Sequence, residues 1–168
     1  MTAQAFTILK PADAADIARL HASAFEAPWS EDSLRQTLSQ ATSFGLGLVS
    51  ETDDMLVGFA LTQHISDTAE LLALAIKPDF QRGGLASRLL AATAEHLRAR
   101  GCVTIILEVA EDNSAARGLY QALGFVEDGR RPKYYPREGT SAVDAILMRA
   151  TLTGLSGARG SLTAHGSA

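Results

Sequence analysis

A glycine turn at residues 81–86 constrains the fold of this chain more than any other feature. The segment Gln81-Arg82-Gly83-Gly84-Leu85-Ala86 follows an apolar run, Leu71 to Ile76, and opens a helical pattern from Leu85 to Arg100. A strand, a glycine turn and a helix N-terminus in this order gather backbone amides that can hold an anion. A phosphate can approach glycine closely because glycine has no Cβ. The order predicts an α/β domain with an anion-binding turn, to which Arg82 adds a cation.

The turn matches neither of two common nucleotide-binding motifs. It lacks the Gly-Lys-Ser/Thr of a P-loop, and Ala86 stands where the dinucleotide fingerprint has its third glycine. From the turn alone, an anion site and a turn that only reverses the chain are equally good interpretations. The arginine and the long helix directly behind the turn favour the anion site.

The remaining pattern predicts one domain without internal repeats. Its 168 residues have the length of an ordinary domain, and a hydrophobic content of 46% is ample for a core. Periodicity and caps predict strands at 6–9, 44–50, 56–65, 69–76, 103–109, 125–129 and 142–150, and helices at 12–25, 31–39, 85–100 and 113–123. We expect a domain over residues 1–152 and a mobile tail over 153–168 with no core role.

Composition narrows the class of protein. The net charge of −4 argues against a general nucleic-acid surface, and no segment is apolar over a length that spans a bilayer. Residues 1–6 lack the basic start and apolar core of a signal peptide. The single Cys102 excludes an internal disulfide, and neither it nor the four histidines have metal-ligand spacing. We expect a cytoplasmic protein without a metal, with no direct contact to nucleic acid or membrane, as a monomer or weak dimer.

Two residues after the turn are candidates for acid–base chemistry. Glu108 ends the apolar run from Val103 to Leu107, where a carboxylate is costly unless it is solvated, paired or used. Tyr120 lies in the following helix, and a buried tyrosine needs a partner for its hydroxyl. Taken singly, each has an ordinary structural explanation, as a carboxylate facing water and as a core ring. Asn113 is most simply the N-cap of that helix.

Aromatic residues on two predicted loops suggest a binding groove. Trp29 lies between Pro28 and the helix cap Ser30, and Tyr134 and Tyr135 lie between the last two predicted strands. Exposed aromatic residues on loops commonly mark binding surfaces. Hydrophobic plugs that fix the loops explain the same pattern equally well.

Two segments together resemble the signatures of the GNAT N-acetyltransferases. Residues 76–86 resemble that superfamily's acetyl-CoA pyrophosphate motif, and residues 113–125 resemble its second signature. The resemblance covers roughly residues 5–150. Within the superfamily the chain is similar to the RimI family of ribosomal-protein-alanine N-acetyltransferases, on the segments Pro28-Trp29-Ser30-Glu31, Leu107-Glu108-Val109, Tyr134-Tyr135-Pro136 and Asp144-Ala145-Ile146-Leu147-Met148. The chain departs from that family at Ala110, where an Arg is usual, and by an extra residue within 130–133.

The resemblance implies a fold and a co-substrate. The GNAT fold is a mixed central sheet of about seven strands with about four helices, splayed between the fourth and fifth strands. The co-substrate is acetyl-CoA, with its pyrophosphate on the glycine turn and its pantetheine arm along the fourth strand like an added strand. The implied binding residues are Leu74, Ala75, Ile76, Gln81, Arg82, Gly83, Gly84, Leu85, Ala86 and Asn113.

The resemblance also implies a reaction. The family's catalytic Glu and Tyr fall on Glu108 and Tyr120, which would take a proton from the acceptor amine and give one to the departing thiolate. The family's acceptor is the N-terminal alanine of the small-ribosomal-subunit protein eighteen. It would enter between two groups of residues: Pro28, Trp29 and Ser30 on one side, and Tyr134 and Tyr135 on the other.

Three alternatives stay open at this point. The chain could acetylate a small-molecule amine with the same cofactor site, or bind acetyl-CoA without catalysis. The presence of both Glu108 and Tyr120 argues against the non-catalytic module. Within the acetyltransferase interpretation, Glu111 and Asp112 lie close enough in the sequence to replace Glu108 as the base.

Overall fold

A seven-stranded sheet organises residues 3–155, the part of the chain that the computed structural model describes. The strands are β1 (Gln4–Leu9), β2 (Ser43–Ser50), β3 (Leu56–Ile65), β4 (Thr68–Ile76), β5 (Thr104–Ala110), β6 (Val126–Tyr135) and β7 (Val143–Thr151). The helices are α1 (Ala14–Ala24), α2 (Glu31–Leu38), α3 (Leu85–Ala99) and α4 (Ser114–Ala122). Short 3₁₀ turns occupy Pro11–Asp13, Pro78–Phe80 and Leu152–Gly154. The predicted number of strands and helices is confirmed.

The sheet has the order β1-β2-β3-β4-β5-β7-β6, and among the described strands only β4 and β5 are parallel neighbours. Their pairing is limited to Thr68 with Thr104, Ala69 with Ile105, and Glu70 with Ile106. Beyond these three pairs the two strands have no common ladder, so they separate toward their C-terminal ends. The predicted mixed sheet with a splay between the fourth and fifth strands is confirmed.

Apolar clusters cover both faces of the sheet. On one face the side chains of α3, including Leu89, Leu90 and Leu97, pack with Ile105 of β5 and Ile146 of β7. On the other face α1 and α2 contribute residues that pack over β3 and β4, namely Ile17, Leu20 and Leu34 against Phe59, Leu61 and Ala73. Burial of these clusters fixes the sheet, and with it the strand ends from which functional side chains project.

The core extends past the predicted domain boundary. Leu152 and Leu155 are 0% and 3% exposed and belong to the α3 cluster. The expectation that residues after Leu152 have no core role is therefore wrong for Leu155. The rest of the predicted tail, residues 156–168, lies outside the described residues. No helix within 3–155 combines the length and the apolarity that crossing a membrane requires.

The strand β6 is longer than its sequence predicts. We expected a strand that ends at residue 129 and a loop holding Tyr134 and Tyr135, but pairing with β7 continues to Tyr135. Nine of its ten residues are exposed, since β6 is the edge of the sheet. An exposed edge needs no apolar alternation, so its charged residues and Pro132 were misread as a loop.

Candidate active site

A cleft of about 750 Å³ opens where β4 and β5 separate. Its walls are residues 71–74 of β4 and 107–110 of β5, the beginning of α4, the α1–α2 loop and the segment that follows β6. Five of the predicted site residues line this one space: Leu74, Glu108, Asn113, Tyr120 and Tyr135. The splay of the sheet therefore brings together residues that are distant in the sequence.

Glu108 projects into the cleft because of the alternation of β5. Ile105, Leu107 and Val109 are at most 5% exposed and point into the α3 cluster, so the residues between them face the other way. The Glu108 side chain is 19% exposed, and its Oε1 lies 2.8 Å from Nε of Arg131 in an ion pair. The carboxylate is thus largely shielded from solvent and compensated by one cation.

Tyr120 reaches the cleft from α4. Asn113 caps this helix by accepting a hydrogen bond of 3.1 Å from the backbone N–H of Ala116, which confirms its predicted capping role. The Tyr120 ring packs edge-on against Phe125 at 5.5 Å between centroids. Burial raises the pKa of Tyr120 to about 12, so the hydroxyl keeps its proton at neutral pH.

The glycine turn leaves the N-terminus of α3 accessible. Gly84 caps α3 in the left-handed region with φ +75°, and Arg82 also has a positive φ of +67°. The Gln81 side chain donates a 2.9 Å hydrogen bond to the carbonyl of Ile76 and ties the turn to the end of β4. A Cβ built on Gly83 or Gly84 meets no atom within 4 Å. Open space before a 15-residue helix suits an anion.

The turn and the cleft lie at different places along β4. Leu74 lines the cleft, whereas the side chains of Ala75 and Ile76 are buried at the end of the strand. Leu85 is buried at the start of α3 and Ala86 is partly buried beside it, so they anchor the helix rather than line a surface. An extended ligand that runs from the turn to the cleft would therefore contact the backbone of Ala75 and Ile76 rather than their side chains.

The predicted acceptor residues are divided by the structure. Tyr135 lines the cleft, and Tyr134 is 51% exposed beside it. Trp29 packs against His21, with 5.8 Å between stacked rings and a 3.3 Å hydrogen bond from its backbone N–H to Nδ1 of His21. Ser30 caps α2 by accepting from the N–H of Ser33. The exposed Pro28 is not among the residues that line the cleft within 3–155, and neither is Trp29 or Ser30.

The α1–α2 loop instead reaches the cleft through Phe25, Glu26 and Ala27. This is a correction to the predicted groove, in which Trp29 formed one wall. The stacked contact with His21 turns Trp29 inward, and it packs with the apolar cluster under α1 and α2. The hydrophobic-plug interpretation is therefore the better one for Trp29, and Phe25 is the aromatic residue with which this loop lines the cleft.

Two arginines near the cleft were also missed. Arg131 pairs with Glu108, and Arg137 makes two bonds of 2.8 and 2.7 Å to the carboxylate of Asp112. The hydrogen bond from Arg137 is the main reason that the pKa of Asp112 is lowered. Glu111 is engaged by Arg130 at 2.9 Å and does not line the cleft. The cluster of basic residues between 130 and 137 was the available signal.

Within residues 3–155 no three histidine, cysteine, aspartate or glutamate side chains are grouped closely enough to hold a metal ion. Two of the described side chains offer proton transfer. Glu108 offers a shielded carboxylate, and Tyr120 offers a buried hydroxyl in the same cleft.

The chain is similar in sequence and in fold to proteins of a known family. The model of the "Acetyltransferase (GNAT) family" matches residues 14–125. The [ribosomal protein bS18]-alanine N-acetyltransferase of Salmonella typhimurium is 41% identical over 121 residues, 72% of this chain and 79% of that one. The crystal structure of the ribosomal-protein-S18-alanine N-acetyltransferase from Escherichia coli superposes with a TM-score of 0.82 at 32% identity, covering 89% of this chain and 94% of that chain.

A more distant structure shares the fold alone. Arabidopsis thaliana NAA60, solved in complex with acetyl-CoA, superposes with a TM-score of 0.77 at 16% identity over 90% of this chain and 99% of that chain. The sheet with its splayed central strands is thus retained where most of the sequence has changed.

Proposed function

The chain belongs to the GNAT acetyltransferase family, and we propose that it acetylates the N-terminal alanine of a ribosomal protein, with acetyl-CoA as the donor. One observation carries the catalytic part: Glu108 and Tyr120 line a single cleft between the separated strands β4 and β5. The acceptor is proposed from relatives such as the Salmonella typhimurium enzyme, whose name specifies ribosomal protein bS18 and alanine. A ribosomal acceptor places the reaction in the cytoplasm, and the enzyme acts there as a monomer or weak dimer without a metal, nucleic acid or membrane.

The glycine turn supports acetyl-CoA as the donor. The open space at Gly83 and Gly84 fits a pyrophosphate, because backbone N–H groups at the start of α3 point into it and no Cβ fills it. Gln81 holds the turn against the end of β4, and the exposed Arg82 supplies a positive charge. The backbone of Leu74, Ala75 and Ile76 leads from this turn to the cleft and has no partner strand on the β5 side. When bound, acetyl-CoA supplies an acetyl group activated as a thioester.

Glu108 acts on the acceptor. An N-terminal amine is largely protonated near neutral pH and must lose a proton before its nitrogen can attack a carbonyl carbon. The carboxylate of Glu108 lies in the cleft and accepts that proton directly or through one water. As the new C–N bond forms, the C–S bond breaks, and no bond to the enzyme is made.

Tyr120 acts on the departing thiolate. Its hydroxyl stays protonated across the neutral range, since burial raises its pKa to about 12. Packing on Phe125 holds the ring of Tyr120, which lines the cleft. Such a positioned proton donor typically contributes about 10²–10⁴-fold to a rate. The products are the acetylated amine and the free thiol of coenzyme A.

The cleft walls support an acceptor with an extended N-terminus. Residues 25–27 of the α1–α2 loop and residues 135–137 at the end of β6 line the same cleft as Glu108. A peptide terminus that enters the cleft can therefore contact both segments. Ala27, Ala73 and Ala110 are small lining residues, and small walls suit a small first residue such as alanine.

The experiment is acetyl transfer to a synthetic peptide that copies the alanine-starting N-terminus of the organism's own S18 protein. The same peptide with a blocked N-terminus and an internal lysine, a serine-starting variant and a polyamine serve as comparisons. We expect turnover on the free alanine terminus and none on the blocked peptide. Turnover on the polyamine alone would replace the acceptor in this proposal. Tight binding of acetyl-CoA without turnover on any amine would identify a binding module instead.

A further inference from the structure

Resting on the function proposed above, we infer that Arg131 is a positioning residue that fixes the carboxylate of Glu108 for the acceptor amine. Arg131 belongs to β6, which is not a neighbour of β5, because β7 lies between them. Its Nε nevertheless lies 2.8 Å from Oε1 of Glu108. Among residues 3–155 it is the one cation in ion-pair contact with that carboxylate.

The register of the sheet explains how Arg131 spans β7. Ala110 of β5, Ala145 of β7 and Arg131 of β6 lie directly opposite one another in turn. Glu108 is two residues from Ala110 and therefore on the same face. The side chain of Arg131 crosses the face above Ala145, whose methyl group leaves room for it. A larger side chain at either alanine would stand in this path.

One contact of Arg131 itself and one of the segment that follows it add to the ion pair. The pairing of β6 with β7 is irregular immediately after Arg131, and in this irregular stretch Lys133 has a φ of +51° and donates its backbone N–H to Asp144 Oδ1 at 3.0 Å. The guanidinium carbon lies 5.7 Å from the centre of the Tyr134 ring, within the range of a cation–π contact. Arg131 is thus held on one side by Tyr134 and on the other by Glu108.

The ion pair leaves one oxygen of Glu108 for the acceptor. Arg131 contacts Oε1, and no other ionic or hydrogen-bonding partner of the side chain exists within the described part of the chain. An amine that contacts Oε2 meets an oxygen whose position is fixed by the ion pair on Oε1. Arg131 therefore orients the base toward the acceptor.

The experiment compares Arg131→Gln with a matched control, Arg149→Gln. Arg149 also pairs with a residue of β6, Asp128, at 2.9 Å, and its exposure of 52% is close to the 57% of Arg131. Each variant is assayed for kcat, acceptor KM and acetyl-CoA Kd, with the peptide or amine that the unaltered enzyme acetylates fastest. Melting temperatures show whether both variants are folded.

We expect Arg131→Gln to lower kcat by about 10- to 100-fold and to leave its acetyl-CoA Kd within about twofold of the value for the unaltered enzyme. In Arg149→Gln both kcat and acetyl-CoA Kd should stay within about twofold. Arg131→Lys keeps the charge and recovers part of the loss. In the background of Glu108→Gln, whose residual rate is the reference, Arg131→Gln causes no further loss, because a residue that acts through Glu108 has nothing left to position.

Three results would overturn the inference. The first is an unchanged kcat in Arg131→Gln. The second is a proportional loss of kcat on Arg131→Gln that is equal in the presence and absence of Glu108. The third is an equal loss of kcat in Arg149→Gln, which would assign the effect to the stability of β6. Failure of the proposed function is distinguishable, because then the unaltered enzyme itself acetylates no amine, and the inference falls with it.

Discussion

The two sides of the cleft are held together by different forces. On the β4 side, α3 buries seven of its fifteen residues, and five of the nine residues of β4 are buried. On the β6 side, nine of ten residues are exposed, and beyond the backbone pairing with β7 the strand is tied to its surroundings by ion pairs. These pairs are Arg117–Glu127, Arg130–Glu111, Arg130–Asp144, Arg131–Glu108 and Arg149–Asp128.

This difference matches the work proposed for each side. Acetyl-CoA is one fixed molecule, and a turn anchored by close packing presents the same amides in every cycle. An acceptor chain must enter and leave. The ion pairs of β6 other than the shielded Arg131–Glu108 pair are partly or fully exposed and contribute only about 0–1 kcal/mol each, so they re-form readily. We therefore predict that substitutions on the packed side lower the free energy of unfolding strongly and independently of salt. Substitutions on the β6 side should lower it mildly and by an amount that depends on salt.

The largest effect is expected from Tyr120→Phe, which alters chemistry at a residue packed in the α3 cluster without altering its packing. Removal of one oxygen takes away the proton donor, and kcat should fall by about 10²–10⁴-fold. The ring contact with Phe125 remains, so the melting temperature and the acetyl-CoA Kd should change little. Steady-state kinetics and calorimetry measure these quantities. Equal losses of kcat and acetyl-CoA affinity would show that Tyr120 has a structural role only.

Leu89→Ala tests the packing directly. Leu89 of α3 is 0% exposed, and its truncation should lower the free energy of unfolding by about 2–5 kcal/mol. The matched control is Val126→Ala at the start of β6, where the side chain is 62% exposed. Urea unfolding of both variants should show a loss below about 0.5 kcal/mol for Val126→Ala. Similar losses of unfolding free energy at the two positions would show that close packing does not distinguish the two sides of the cleft.

Substitutions at two neighbouring glycines distinguish the effect of backbone strain on stability from the effect of filled space on acetyl-CoA binding. Gly84→Ala forces a side chain into φ +75° and should cost about 1–2 kcal/mol of unfolding free energy. Gly83 is not among the glycines with positive φ, so Gly83→Ala should leave stability nearly unchanged. Its methyl group enters the open space before α3, and acetyl-CoA Kd should rise. Titration calorimetry reads the affinity, and an unaltered Kd in Gly83→Ala would place the pyrophosphate elsewhere.

High salt should increase the local opening of β6 and leave that of α3 unchanged. Raising the ionic strength from 0.1 to 1 M shortens the screening length from about 10 to about 3 Å, and the exposed pairs lose a part of their sub-kcal/mol contributions. Hydrogen exchange followed by mass spectrometry should show faster exchange in residues 126–135 and unchanged protection in residues 85–99. Equal acceleration of both segments would mean that β6 is not held separately.

The smallest effect concerns His21, which fixes the α1–α2 loop through the backbone N–H of Trp29. Burial lowers the pKa of His21 below the ordinary histidine value of 6.5. The unfolded chain therefore binds more protons than the folded one as the pH falls below 6.5, and stability declines there. In His21→Phe this part of the decline should be absent. Urea unfolding at pH 5.5 and 7.5 checks the difference, and an unchanged decline would assign it to other groups.

The packed side was predictable from the sequence and the β6 side was not. Apolar periodicity and caps are local signals, and they located α3, α4 and β5 to within a residue or two. The ends of β6 carry no such signal, since an exposed edge strand has neither an apolar face nor a required alternation. The position of Trp29 depended on its contact with His21 across a loop, which single residues do not reveal.

The proposed catalytic pair illustrates the same limit. Glu108 and Tyr120 were found because each lies in a recognisable motif, and the structure places both at one cleft. The partner of Glu108, Arg131, was not found. Its contact depends on the strand order β5-β7-β6 and on the two small residues Ala110 and Ala145, and both are properties of the assembled sheet.

The edge position of β6 has a consequence for self-association. An unpaired strand edge invites a second copy of the same strand, and β6 carries the features that discourage it, namely a dense row of charges, Pro132 and an irregular register. The opposite edge, β1, exposes Phe6 and Ile8 instead. Engineering the acceptor preference by removing charges from β6 would therefore also remove its protection against aggregation, and each such variant should be compared by its solubility as well as by its activity.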